Sequence, residues 1–427
     1  MKKQLILVSL VIFNAQNFCI EPRGESLAIA TAKDYMRLPG TFIEIISSAV
    51  DENKSAARNS FSLGDATLPL FTAFPRLHAE LPYISLGSFP TPIEQISSLG
   101  NAIGLEHLYV KCDNLTGGYD ADGAALFGGN KVRKLEFLLA DALYNDTKSV
   151  ITFGGAGSNH ALATVTYAEQ LGLKGIAILE PQKPSDIVKR NLSLDLHHNA
   201  ELHLCDNQKI WDLCIAYTML REKQINGTLP YIIPVGGSCP TGAIGFVNAV
   251  FELKQQIEAG VMPEPDYIYV TLGSMGTAAG LLLGVKAAGL KSKIVAVTVS
   301  HNPTWEKTVE LAQKTNRFLH NADPSFPLFS FHKNDLTVLR NFVGKGYGIF
   351  TQGGCAAIDL IAETEGIVLD GVYTGKCLDG LIAQANKHKK DDVILFWNTF
   401  CGDDFAQMLQ TVDYKNLPHC FHHYFEA

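Results

Sequence analysis

Charge is scarce in this chain. Asp, Glu, Lys and Arg together make up 18% of its 427 residues, and 43 acidic against 35 basic side chains leave a formal net charge of −8. With no basic excess there is no electrostatic footprint for nucleic acid. Long apolar runs are missing too. No window reaches the roughly 18 uninterrupted apolar residues of a membrane-spanning helix, so no span is expected in the mature chain. The nine cysteines, at 19, 112, 205, 214, 239, 355, 377, 401 and 420, form no C-x-x-C pair. Their scatter argues against a zinc or redox motif and predicts buried small apolar residues. One or two disulfides stay open if the chain is exported. His422 and His423 have no partners at ligand spacing, so no metal site is expected.

What is present begins with "MKKQLILVSLVIFNAQNFC": two lysines, a largely apolar run from Leu5 to Phe13, then polar residues. This is the pattern of an export signal, with small residues suited to cleavage at Ala28 to Ala30, and it predicts a targeting segment over 1–30. The alternative is an apolar strand or helix at the start of a cytoplasmic protein. Residues 31–75 show weak patterning and read as an N-terminal extension. Beyond them, short β-branched runs alternate with helical ones: "SVITF", "GIAIL", "AELHL", "YIIPV", "DYIYVTL", "KIVAVTV" and "DVILFW". Strands that are apolar throughout belong to parallel sheets covered on both faces. The alternation predicts an α/β fold, with ligands bound beyond the carboxyl ends of the strands.

Four glycine-rich segments sit where strands lead into helices: "FGGNKVRK" (127–134), "FGGAGSNH" (153–160), "PVGGSCPTG" (234–242) and "TLGSMGTAAG" (271–280). Each can present free backbone N–H groups to an anion. In the last, Met275 and Ala278 stand where a dinucleotide fingerprint needs glycine, and no nucleotide P-loop occurs anywhere. In the first, helical spacing after Asn130 makes that residue the expected N-cap. Lys131 then falls in the first turn, where the helix dipole disfavours a cation by some tenths of a kcal/mol. That environment, with Arg133 and Lys134 adding positive charge, favours the neutral amine that imine chemistry requires. A surface lysine beside a glycine turn is the plain alternative for this segment alone. An amine at a helix start, several anion loops and a parallel sheet together suit pyridoxal 5'-phosphate.

The motifs that follow carry a family resemblance. "FPTPIEQISSLGNAIGLEHLYVKCDNLTG", "GGNKVRKLEFLLADAL", "GGAGSNHALATVTYAEQLGL", "PVGGSCPTGAIGFVNAVFEL", "GSMGTAAGL" and "GYGIFTQGGCAAIDLIAETEGIVLDGVYTGKCLDGLI" occur in this order. They resemble the D-cysteine desulfhydrase and 1-aminocyclopropane-1-carboxylate deaminase family, pyridoxal-phosphate enzymes of the tryptophan-synthase β-like fold (fold type II). The likeness runs from about residue 80 to 405. It implies two α/β domains: a large one from 76–133 and 244–427, and a small one over 134–243. It also implies a homodimer.

By the same resemblance Lys131 takes up the cofactor's aldehyde. Gly273, Ser274, Met275, Gly276 and Thr277 cup its phosphate, with Lys134 adding charge, and Asn159 meets the ring hydroxyl. Ser158, Asn159 and His160 receive the carboxylate of a small amino-acid substrate, which Tyr347 and Tyr373 face. Thr374 stands beside the ring nitrogen, where ring-opening deaminases carry glutamate, and Thr399 lies near the ring. A neutral hydroxyl makes the ring a milder electron sink, which favours α,β-elimination as in a desulfhydrase lyase. Deamination or dehydration on the same scaffold, or a non-catalytic binding protein, are the alternatives. The chain departs from the family pattern at Gly157, where glutamine is common, at Cys112 and Asn114, and in "WNTFCGDD" (397–404).

Overall fold

The computed structural model describes residues 68–119 and 123–426. The export segment expected over 1–30, and all but the last residues of the 31–75 extension, lie outside these. Ten strands follow in order: β1 (Ile93–Gln95), β2 (His107–Cys112), β3 (Ser149–Gly155), β4 (Lys174–Glu180), β5 (Glu201–Leu204), β6 (Tyr231–Ile233), β7 (Tyr267–Leu272), β8 (Lys293–Thr298), β9 (Leu336–Leu339) and β10 (Val393–Asn398). They build two sheets. One has six strands in the order β1-β2-β10-β7-β8-β9, and the other has four in the order β5-β4-β3-β6. Every pairing is parallel except β1 with β2.

The seven apolar runs named above become β3 to β8 and β10. Their interiors explain why: all six residues of β10 are buried, and five of six in β7 and β8. Such strands are stable only with helices on both faces. The helix Pro240–Glu258 packs beside Lys131–Tyr144 and Gly276–Ala288, and Phe246, Val247 and Val250 fill the space beneath the larger sheet. The end of the N-terminal extension docks on the same helix. Leu70 and Phe71 are buried, and the Leu70 amide donates to Asn248 Oδ1 at 3.1 Å.

No described helix is long and apolar enough to cross a membrane. No disulfide joins the described cysteines. Cys112, Cys205, Cys377 and Cys401 are buried as expected, but Cys355 and Cys420 are exposed because each lies on the outer side of a peripheral helical turn.

Candidate active site

The four glycine segments meet in one cavity of about 750 Å³ between the carboxyl ends of the two sheets. Its wall takes Gly128 to Lys131 from the first, Ser158 to His160 from the second, Gly236 and Ser238 from the third, and Gly273 to Met275 with Thr277 from the fourth. Tyr347, Asp370, Tyr373, Thr399, Phe400 and Cys401 also line it.

Lys131 opens the helix Lys131–Tyr144, and burial brings its amine down to about 8, against the opposing pull of Asp370. The expected cap does not form. Asn130 has helical dihedrals and no side-chain cap bond. Its Oδ1 accepts from Lys131 Nζ at 2.7 Å, and its Nδ2 donates to Thr277 Oγ1 at 2.9 Å. Asn130 therefore aims the lysine instead of capping the helix. Gly129 permits this by taking φ +86, a conformation that also places its backbone against the Thr399 carbonyl.

Arg133 also departs from expectation. Two residues on from Lys131 it points to the opposite face, where it donates to Asp113 at 2.7 and 2.9 Å and to Glu252 at 2.9 and 3.0 Å. Lys111 completes this buried network at 2.6 Å from Glu252, and Trp397 Nε1 donates to Asp113 at 2.7 Å. Burial raises the Glu252 carboxyl, but the two cations outweigh it and hold it at about 2. Arg133 thus anchors the helix start, and the lysine's shift is set by burial and Asp370.

Lys134, three residues on, shares the lysine's face. It is 1% exposed, donates to the Gly236 carbonyl at 2.9 Å, and meets no carboxylate among the described residues. Burial, then the charge of Lys131, pushes its amine well below the usual lysine range. It faces the start of the helix Gly276–Ala288, where a Cβ on Gly276 would lie 2.9 Å from its Nζ and 2.6 Å from Ser238 Oγ. A Cβ on Gly236 would overlap Ser274 Oγ at 1.9 Å. Ser238 Oγ bonds Ser274 Oγ at 2.8 Å and accepts from the Gly276 amide at 3.1 Å. Met275 is held at φ +75, costing on the order of 1 kcal/mol for a residue with a side chain. A buried cation beside a helix N-terminus is repulsive unless an anion lies between them. Hydroxyls, amides and lysine converge as a phosphate would require, so these residues fit a phosphorylated aldehyde cofactor.

On the opposite wall, Ser158 caps the helix Asn159–Gln170 by accepting from Ala161 N at 3.2 Å. The amides of Asn159 and His160 begin that helix and have no intrahelical acceptor. Asn159 Oδ1 accepts from Asn191 at 2.9 Å. His160 lines the cavity, its Nε2 bonds the Pro234 carbonyl at 3.1 Å, and its Nδ1 is buried with no partner among the described residues. Burial and the two lysines hold the ring neutral. The hydroxyls of Tyr347 and Tyr373 bond each other, and burial raises both phenols, so both stay protonated at neutral pH.

Thr374 is fully buried, and its hydroxyl donates to Asp370 Oδ1 at 2.7 Å. Asp370 itself stands on the cavity wall, held by the amides of Val372, Tyr373 and Thr374 at 2.9 Å each. Asn130, Ser238 and Asp370 are the site residues that sequence reasoning passed over. The first two lie inside glycine segments already marked, and Asp370 lies four residues before Thr374. Of the departures, Phe400 and Cys401 line the cavity, Asn114 bonds Asn398 at 3.1 Å, and Cys112 is simply buried.

Fold and cavity are those of a fold-type II enzyme, and the cavity residues fit an aldehyde cofactor that carries a phosphate. The chain belongs to the family of pyridoxal-phosphate dependent enzymes, whose model matches residues 84–399, and pyridoxal phosphate is its cofactor. Its relatives include the D-cysteine desulfhydrase of Klebsiella pneumoniae strain 342, 35% identical over 352 residues, which are 78% of this chain and 96% of the relative. The D-cysteine desulfhydrase of Yersinia enterocolitica is 34% identical over 75% of this chain and 94% of its own. Among solved structures, an ACC deaminase homologue superposes with a TM-score of 0.65 at 31% identity, covering 79% of this chain and 98% of that one. The processed form of threonine deaminase isoform 2 from Solanum lycopersicum, at 16% identity and a TM-score of 0.52 over 83% of this chain and 96% of its own, shares the fold.

Proposed function

We propose that the protein catalyses α,β-elimination on a small amino acid, converting D-cysteine to pyruvate, sulfide and ammonia. The observation that carries this reading is one cavity holding a buried amine that exchanges a proton near neutrality and two phenols that stay protonated. When bound, pyridoxal phosphate stabilises negative charge at the substrate's Cα. The chain's own groups do the rest. Ser238, Ser274, Lys134 and the amides at Gly276 and Thr277 hold the phosphate. The amides of Asn159 and His160, with Ser158, bind the substrate carboxylate. Asn130 Oδ1 steers Lys131 Nζ, which takes the Cα proton. Tyr373, hydrogen-bonded to Tyr347, supplies a proton to the departing sulfur.

Purified protein given D-cysteine, L-cysteine, D-serine and the cyclopropane amino acid, with sulfide, 2-oxo acid and ammonia measured, tests this directly. Sulfide from D-cysteine in preference to the others is the expected result, and release of 2-oxo acid from the cyclopropane substrate alone overturns it. The family resemblance implies a homodimer, checked by sedimentation, and the charged and apolar start of the chain implies export directed by residues 1–30, checked by cell fractionation.

A further inference from the structure

Gly157, where the resembled family carries glutamine, has its peptide held at both ends by side chains from elsewhere. Its carbonyl accepts from Asn191 Nδ2 at 2.9 Å, and its amide donates to Gln182 Oε1 at 3.0 Å. Gln182 lies in the short connection between β4 and the helix Asp186–His197. A side chain at 157 has no room, since a Cβ there would lie 2.9 Å from Val188 Cγ2 and 3.3 Å from its Cα. Gln182 therefore meets this turn from a different part of the chain.

Gln182 also lies close to two further glycines. A Cβ on Gly155 would lie 2.6 Å from its Oε1, and a Cβ on Gly348 would lie 3.1 Å from its Nε2. Gly155 and Gly157 precede Ser158, while Gly348 follows Tyr347 in the loop that brings that phenol to the cavity. The backbone of Gln182 is fixed in turn, its amide donating to Tyr424 Oη at 3.0 Å. Tyr424 is 0% exposed and packs with Phe421 against the core around the smaller sheet.

We infer that Gln182 is a positioning residue that sets the substrate end of the cavity, by clamping the Ser158 turn to the Tyr347 loop, and that the C-terminal Tyr424 is its anchor. The inference rests on the reading of Ser158 to His160 as the carboxylate-binding turn. Losing one side-chain to backbone bond in this clamp corresponds to roughly tenfold in substrate affinity.

Gln182→Met keeps the bulk and removes the amide, and Tyr424→Phe removes the anchor's acceptor. For the holoenzyme and whichever amino acid the wild type turns over, Gln182→Met is expected to raise KM about tenfold. Its kcat should stay within about twofold and its cofactor absorbance should be unchanged; Tyr424→Phe should move KM the same way by less. Deuterium uptake should quicken in 154–159 and 344–350 and nowhere else. Unchanged KM and uptake in Gln182→Met overturn the inference. So does a fall in kcat and thermal midpoint together, which marks packing alone. If the wild type fails to turn over D-cysteine, the proposed substrate is wrong, while the uptake measurement still decides the role of Gln182.

Discussion

Lys134→Met separates the cofactor's contribution from that of the fold, because the two effects have opposite sign. The wild-type amine is buried, faces the start of the helix Gly276–Ala288 and donates to the Gly236 carbonyl. Methionine fits the same space beside Leu138 and Phe246. Removing a charge-assisted bond to phosphate costs about 1.5–3 kcal/mol, or about 10- to 150-fold in cofactor affinity, read by absorbance titration. In the apoprotein the same change removes an uncompensated buried amine and should stabilise by on the order of 1–3 kcal/mol in denaturant unfolding. Inorganic phosphate should stabilise the wild type and leave the variant unmoved. The pH dependence follows from linkage. The folded amine's pKa is lowered, so between that value and about 10.4 the unfolded chain binds more protons, and apoprotein stability rises with pH. Lys134→Met should flatten that rise. Equal cofactor affinity in the two proteins, or equal stabilisation of both by phosphate, refutes the phosphate cup.

Lys131→Ala should lack the protein-bound aldimine absorbance with cofactor present and be inactive; a turning-over variant removes the basis of the assignment. Uptake of the cofactor's aldehyde by apoprotein should climb about tenfold per pH unit and level off above about 8, where Lys131 is neutral, and a flat profile from pH 6 to 9 contradicts this. Tyr373→Phe should lower kcat by about 10²- to 10⁴-fold with cofactor binding intact, since proton supply to the leaving group is lost; a kcat within twofold of wild type assigns that proton elsewhere. Asp113→Ala leaves Arg133 buried with half its partners and should cost about 3–5 kcal/mol in unfolding. A loss under about 1 kcal/mol shows that Glu252 alone suffices.

The strands legible in sequence were those with unbroken apolar runs, because a strand covered on both faces tolerates little else. β2 escaped notice because Lys111, next to its last residue, breaks its apolar run, and that lysine is explained by Glu252, 141 positions away. β1 and β9 are three- and four-residue pieces whose short runs carry no period. Arg133 was open to correction from helix geometry alone: at 3.6 residues per turn, i and i+3 share a face and i+2 does not. Asn130 had the right residue type for a cap, but Thr277 and Lys131 together outcompete the helix for its amide group.

Sequence alone determined the α/β order, the four anion loops and the lysine among them, since periodicity, glycine placement and helix starts are local properties. Tertiary structure decided that the Lys134 amine is buried against the Gly236 carbonyl and that Lys131 is held by Asn130. It also decided that Asp370 reaches the wall with the Thr374 hydroxyl bonded to it, and that His160 is neutral. These outcomes depend on burial and on distances between groups far apart in the chain, and a lysine's charge is set by what surrounds its amine, not by the residues next to it in sequence.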